Sequence, residues 1–198
     1  MAPPGLEPRL ARLFTAVVLG RWAEVERLRR AAPPGEPDRA WREALLQAHV
    51  FAGFPRVVEA YGVLARCGGL GTPGPDEVLA EPDRPERGRA LFERIYGERA
   101  GAIRADLAAG HPDFAAFIEG HAYGRILSRP GLDPARRELL AVAALAALGQ
   151  ERQLASHARG ARRCGATSED VHAALEAVAD LIAPERLADA RRVLARFA

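Results

Sequence analysis

A run of ten residues without a polar side chain, Leu139 to Leu148, most constrains how this chain can fold. Asp133 and Pro134 precede the run as a typical helix N-cap and first helical residue, and Gly149 follows it as a typical helix end. A helix that is apolar on all sides is buried, and a membrane span needs about 20 apolar residues. The run therefore predicts a buried helix at the centre of a globular domain.

The next segment, about Gln150 to Cys164, is predicted to be a two-faced helix. Its apolar residues recur at helical spacing, its arginines share the opposite side, and His157 lies within the apolar stripe. Glu138 is the only acidic residue between Asp133 and Glu151. We therefore expect its carboxylate to meet His157, with Gln153 one helical turn before the histidine.

The rest of the chain also favours helices, because no segment alternates polar and apolar residues with the period of a strand. The predicted fold class is all-α. A Gly/Pro-rich linker is predicted over residues 68–84, and Thr167 with Asp170 predicts a capping box. The remaining predicted helices cover residues 10–19, 21–32, 38–52, 55–67, 85–96, 99–109 and 112–127, with one beginning after Thr167 and one at Pro184.

An internal repeat is predicted from a shift of 129 residues, which aligns Gly20 with Gly149 and Pro55 with Pro184 without a gap. The two copies would be two helical halves, about residues 9–67 and 138–196. They differ chemically, because Leu28 stands at the position of His157. The first copy is thus expected to lack the site and to serve as a packing partner.

Composition limits the functional classes. All 28 cationic side chains are arginines, interspersed with acids to a net charge of +2, so no nucleic-acid footprint is present. No signal peptide or membrane span is indicated, and we expect a cytoplasmic protein.

Cys67 and Cys164 form no CxxC pair and are expected to be free thiols. Three of the five histidines, His49, His111 and His172, have no metal-ligand spacing with one another, so no metal is expected. No cofactor is expected either.

Several segments together resemble the carboxymuconolactone decarboxylase-like family, which includes alkylhydroperoxidase D. They are RPGLD at 129–133, the apolar helix, the QLxxH segment ending at His157, and GATSED at 165–170. The resemblance covers about residues 86–198, and residues 38–67 resemble the family's closing helix pair. It implies an alkylhydroperoxidase D-like helical fold, assembled as a homotrimer or a hexamer. Residues 1–84 would then be a degenerate repeat plus linker, and residues 85–198 the family domain.

The family contains two chemistries, and the residues here depart from both. Its peroxidase branch uses a Glu, a CxxC pair and a His. Glu138 and His157 match the ends of that pattern, but Gln150 and Gln153 occupy the cysteine positions, and an amide forms neither thiolate nor disulfide. Its lactone decarboxylase branch has a Glu at Gln153 and an acid at Arg125, which argues against carboxymuconolactone itself as substrate.

The favoured interpretation is acid–base chemistry on a small lactone or carboxylate, with His157 and Glu138 as the catalytic pair. The resemblance also suggests binding roles for six more residues: Gln150, Gln153, Arg137, Arg129, Tyr123 and His121. Whether the chain is an enzyme stays open, with decarboxylase-like lyase activity favoured over CxxC peroxidase activity. The alternatives are an antioxidant relative without the CxxC, and a binding or assembly module whose site has decayed.

Overall fold

A computed structural model describes residues 6–78 and 82–197, and in these two ranges the chain is helical with no β-strand. The predicted all-α fold class is confirmed. The α-helices are α1 Leu6–Leu19, α2 Trp22–Arg30, α3 Asp38–Arg66, α4 Arg84–Tyr96, α5 Ala100–Gly110, α6 Pro112–Phe117, α7 Pro134–Leu148, α8 Glu151–Arg163, α9 Ser168–Glu176 and α10 Pro184–Leu194. A π-helix spans Ile118–Leu127, and short 3₁₀ turns lie at Pro75–Glu77, Gly97–Arg99, Ala179–Leu181 and Ala195–Phe197.

Helix α7 lies at the centre of the fold, as its sequence predicts. Every residue from Leu140 to Ala147 is buried, and the helix packs against both α1 and α8. The Asp133 side chain caps it by accepting from the Arg136 backbone N–H, and Gly149 ends it in the left-handed conformation. This capped, buried helix fixes the position of Glu138, which lies in its second turn.

Helix α3 is long and kinked rather than divided by a loop. The predicted break falls at Gly53, whose φ of 76° only glycine adopts readily, and Pro55 follows without a backbone N–H. Beyond the kink the helix exposes large apolar side chains, of which Phe54 is 68% and Val58 66% exposed.

The helix predicted over residues 112–127 begins as α6 and continues as the π-helix. It packs closely on α4 through two glycines. A Cβ at Gly88 would lie 2.6 Å from the Glu119 carbonyl oxygen, and one at Gly124 would lie 2.6 Å from the Arg84 carbonyl oxygen. The two backbones therefore touch directly, which holds the π-helix in place.

The buried apolar side chains form two clusters. The larger one combines residues of α1–α3 with residues of α7–α10, and the smaller one surrounds Phe92 and combines α4 with the π-helix and Cys164.

The domain boundary near residue 84 and the internal repeat stay predictions. Residues 1–5, to which the signal-peptide prediction refers, residues 79–81 of the predicted linker and residue 198 lie outside the described residues. Within the described ranges, no helix has both the length and the apolar composition that a membrane span requires.

Candidate functional site

The structure brings Glu138 and His157 together. Oε2 of Glu138 lies 3.0 Å from Nδ1 of His157, with side chains 1% and 11% exposed. The carboxylate comes from the second turn of α7 and the imidazole from the middle of α8. Because Nδ1–H donates to the carboxylate, a neutral His157 carries its lone pair on Nε2.

The environment of His157 sets its protonation. Burial lowers its pKa, but the charge and the hydrogen bond of Glu138 outweigh this, so the pKa of His157 is raised above its ordinary 6.5. The Phe51 ring of α3 packs against the imidazole, edge-on at 6.0 Å between centroids. The arrangement favours an imidazolium–carboxylate pair in which the ring can donate or accept a proton.

Gly160, one turn beyond His157 in α8, makes room for this pair. A Cβ at this position would lie closer than 3.0 Å to both Oε2 of Glu138 and the Ile95 side chain. The Glu138 carboxylate thus lies directly against the backbone of α8.

Two tyrosines lie on the side of α4 and the π-helix. The hydroxyl oxygens of Tyr96 and Tyr123 are 2.7 Å apart. Burial raises the pKa of Tyr96, as does the charge of Glu138, while its contacts with Tyr123 and Ser156 lower it. Burial also places the pKa of Tyr123 well above 10. Both phenols are therefore neutral at physiological pH and act as hydrogen-bonding groups.

A cleft of about 870 Å³ runs along the exposed side of α8. Ser156 and Ala155, the two residues before His157, line it together with Tyr96, but His157 itself does not. Five lining arginines face two lining acids, a balance of +3, which favours an anionic ligand. The charged lining residues are Arg99, Arg152, Arg159, Arg163, Arg196, Asp106 and Glu151.

Two of the predicted binding arginines do not line this cleft and instead hold a buried carboxylate. Arg137 donates to Glu43 at 2.7 Å and Arg129 donates to the same carboxylate at 2.8 Å. Glu43 is fully buried and Arg137 is 1% exposed, with the Gln47 side chain donating to the Arg137 carbonyl. These groups anchor the start of α7, next to Glu138.

His121 pairs with another histidine. Its Nε2 lies 2.6 Å from Nε2 of His49, whose Nδ1 contacts the Leu46 carbonyl. A carbonyl only accepts, so His49 Nδ1 carries a proton; with His49 neutral, His121 must donate through Nε2. Burial lowers the pKa of His121, as do the charges of His49, Arg125 and Arg84.

The two predicted glutamines are exposed at the start of α8. Gln153 lines the arginine-rich cleft, whereas Gln150 lies at the N-cap of α8 in a smaller pocket beside Gly149. Neither forms a side-chain hydrogen bond with another described residue in this structure.

The cysteines offer no reactive thiolate at this site. Burial raises the pKa of Cys164 to about 11, and the charge of Glu138 acts in the same direction. Cys67 is a half-buried free thiol. Across the described parts of the chain, no group of three or more His, Cys, Asp or Glu side chains is placed to hold a metal ion.

Sequence reasoning missed four residues of this region: Gly160, Tyr96, Phe51 and Glu43. A glycine inside a predicted helix usually has a packing reason, so Gly160 carried a usable signal. The other three carried none, because their distances to the pair depend on tertiary packing.

The all-helical fold is accompanied by sequence similarity to one protein family. The profile of the carboxymuconolactone decarboxylase family matches residues 112–196, and a 4-carboxymuconolactone decarboxylase from Acinetobacter baylyi is 34% identical over 94 residues. That match covers 47% of this chain and 70% of the relative. The chain belongs to the carboxymuconolactone decarboxylase family.

A second relative differs in name and in length. Peroxisomal protein 2 of Schizosaccharomyces pombe is 31% identical over 138 residues, which is 67% of this chain. The match spans 64% of that protein, less than two thirds of its length.

Proposed function

We propose that this protein catalyses acid–base chemistry on a small lactone or carboxylate, using His157 and Glu138. The 3.0 Å contact between Nδ1 and Oε2 carries the proposal, because it orients the ring and supports its protonated form. In a decarboxylation the C–CO₂ bond breaks and CO₂ leaves. The electron pair left on carbon then takes a proton from His157 Nε2, and water returns a proton to the ring.

The charge of the cleft along α8 supports an anionic substrate. Its balance of +3 attracts carboxylates, and arginine binds them through two parallel hydrogen bonds. Tyr96 links the cleft to the catalytic pair, because it lines the cleft and lies close enough to Glu138 for that charge to raise its pKa. The five lining arginines are thus proposed to attract an anionic substrate to the cleft, whereas Arg129 and Arg137 hold Glu43.

The test is a decarboxylation and lactone-hydrolysis assay on small lactone acids, including 4-carboxymuconolactone. His157→Gln and Glu138→Gln are each expected to lower kcat/KM by about 100-fold or more, since general acid–base groups contribute about 10²–10⁴-fold. His172→Gln is the matched control, because that imidazole bonds only the Ser168 carbonyl on α9. Full activity of a folded His157→Gln protein would refute the proposal.

A second candidate function is a non-catalytic assembly module, favoured by one observation. Three large side chains are exposed at helical spacing on the segment of α3 beyond the kink: Phe54, Val58 and Tyr61. Under this hypothesis none of the lactone acids is turned over, while Phe54→Ser with Val58→Ser dissociates the assembly. A homotrimer, with a hexamer as alternative, is the proposed assembly, and light scattering of the wild type distinguishes the two states.

The thiol-dependent alternative receives less support. A thiol whose pKa is about 11 is almost fully protonated at neutral pH, and only the thiolate attacks a peroxide. Titration of free thiols before and after hydroperoxide treatment tests it, and unreactive cysteines are expected.

The compartment and the repeat also stay proposals. We propose a cytoplasmic location, with the name of the yeast relative pointing to the peroxisome as the alternative. Imaging of a fluorescent fusion in the native host distinguishes the two compartments.

The internal repeat is supported by the matching helix ends at Gly20 and Gly149, with φ values of 70° and 69°.

A further inference from the structure

We propose that a second cavity, distinct from the cleft along α8, binds a small organic anion with two or more negative charges. This cavity has a volume of about 430 Å³ and lies between α3, the segment 73–78, the start of α4 and the end of the π-helix. We call it the arginine cavity. Ten residues line it: Arg42, Leu46, Tyr61, Pro73, Glu77, Val78, Arg84, Arg87, Arg125 and Arg129.

The first argument is charge. Five lining arginines face a single lining acid, Glu77, a balance of +4. Glu43 and Asp83 bind lining arginines from behind, and Arg137 shares Glu43, so the wider cluster carries +3. Counting Glu81, which lies outside the described residues, as a full negative charge still leaves +2. Such a concentration of like charge favours a bound anion with at least two charges.

The second argument is preorganisation. Arg42 binds both oxygens of Glu77, at 2.9 and 2.5 Å, and Arg129 binds Glu43 and the Glu77 carbonyl. Their side chains are only 12% and 11% exposed. Nη1 of Arg129 takes part in none of these bonds and is left to donate to a ligand. These two guanidinium groups are held in place before any ligand arrives, which lowers the entropic cost of binding.

The third argument is the shape of the remaining wall. Leu46, the ring of Tyr61 and Val78 are apolar surfaces beside the arginines. Val78 is 80% exposed and Tyr61 41%, so both are accessible from solvent. A ligand with a carbon body and two carboxylates or a phosphate fits this lining better than an inorganic ion does.

The arginine cavity is independent of the Glu138–His157 pair. It shares no lining residue with the cleft along α8, and His157 contacts Phe51 and Glu138 instead. Binding in the cavity therefore does not depend on the proposed catalytic function.

The test is isothermal titration calorimetry of the full chain with phthalate, a dianion with a carbon body. Benzoate serves as the single-charge probe and inorganic phosphate as the probe without a carbon body. Phthalate is expected to bind at least tenfold more tightly than either, and to weaken as salt rises. The double variant Arg87→Gln/Arg125→Gln is expected to lose at least tenfold in affinity.

Three control variants separate the possible outcomes. Arg89→Gln changes a residue on the same helix as Arg87 but outside the cavity, and Arg152→Gln changes a residue of the other cleft. His157→Gln removes the proposed proton donor. All three are expected to keep phthalate binding. No binding by the wild type, binding lost in Arg152→Gln but kept in the double variant, or phosphate binding as tightly as phthalate would each overturn the proposal.

Discussion

Gly160 lies so close to Glu138 that the carboxylate occupies the space where any other residue would place its Cβ. Gly160→Ala is therefore expected to push Glu138 away from His157. Overpacking of this kind costs about 1–3 kcal/mol of unfolding free energy, more than the helix gains from alanine. Urea denaturation of the variant measures the loss.

Gly101→Ala is the matched control for that experiment. Gly101 also lies in a helix, α5, but nothing lies within 4 Å of a Cβ added there. This substitution is expected to stabilise the protein by about 0.5–1 kcal/mol, because alanine favours the helix. A Gly160→Ala protein as stable as Gly101→Ala would contradict the close approach of Glu138.

The His157–Glu138 pair predicts a loss of stability on the alkaline side. The pKa of His157 is raised in the folded state, so its contribution is complete below about 6.5 and is lost as pH rises through the folded pKa. A tenfold gain in the proton affinity of the ring on folding corresponds to about 1.4 kcal/mol of unfolding free energy. Glu138→Gln should reverse this dependence, because burial then acts alone and brings the pKa of His157 below its ordinary value. NMR titration of the imidazole and thermal unfolding at several pH values measure both effects.

The His49–His121 pair predicts the opposite slope on the acidic side. The pKa of His121 is lowered, so the unfolded chain takes up its proton first, and stability falls as pH drops below about 6.5 towards the folded pKa. His121→Gln keeps a donor to His49 but carries no titrating charge. Its unfolding free energy should therefore vary less with pH below about 6.5 than that of the wild type. An unchanged slope would argue against this pairing.

Glu43 predicts the largest stability effect. It is fully buried and forms ion pairs with both Arg129 and Arg137. Glu43→Gln preserves the shape but leaves two partly or fully buried cations without a counter-charge, which costs about 3–5 kcal/mol. Glu7→Gln is the control, because its ion pair with Arg136 is exposed and contributes about 0–1 kcal/mol. Chemical denaturation compares the two, and equal stabilities would show that the buried charge cluster contributes little.

The sequence alone was sufficient to predict most of the helices and one contact of the candidate site, the one between Glu138 and His157. The apolar run from Leu139, with its cap at Asp133, predicts α7 almost to the residue. The pairing of Glu138 with His157 could be expected because no other acid is available nearby in sequence. Local signals of this kind are strong because burial, capping and helical periodicity act over a few residues.

The binding residues were harder to predict, because they depend on how distant helices pack. Arg129 and Arg137 suit a carboxylate ligand in sequence, but the carboxylate that they bind belongs to Glu43, on α3. His121 was predicted to have a binding role, and its imidazole pairs with His49 on α3. No local pattern in one helix indicates which partner another helix will supply.

The π-helix from Ile118 to Leu127 has a consequence for insertions and deletions. A π-helix has more residues per turn than an α-helix. In an α-helix each residue turns the chain by about 100°, so adding or removing one residue rotates every side chain that follows. The segment directs His121 to α3 and Tyr123 to α4 at the same time. A one-residue deletion there would convert the wide turn into an ordinary one and separate these two contacts. The length of this segment is thus as firmly set by the fold as the identity of any side chain in it.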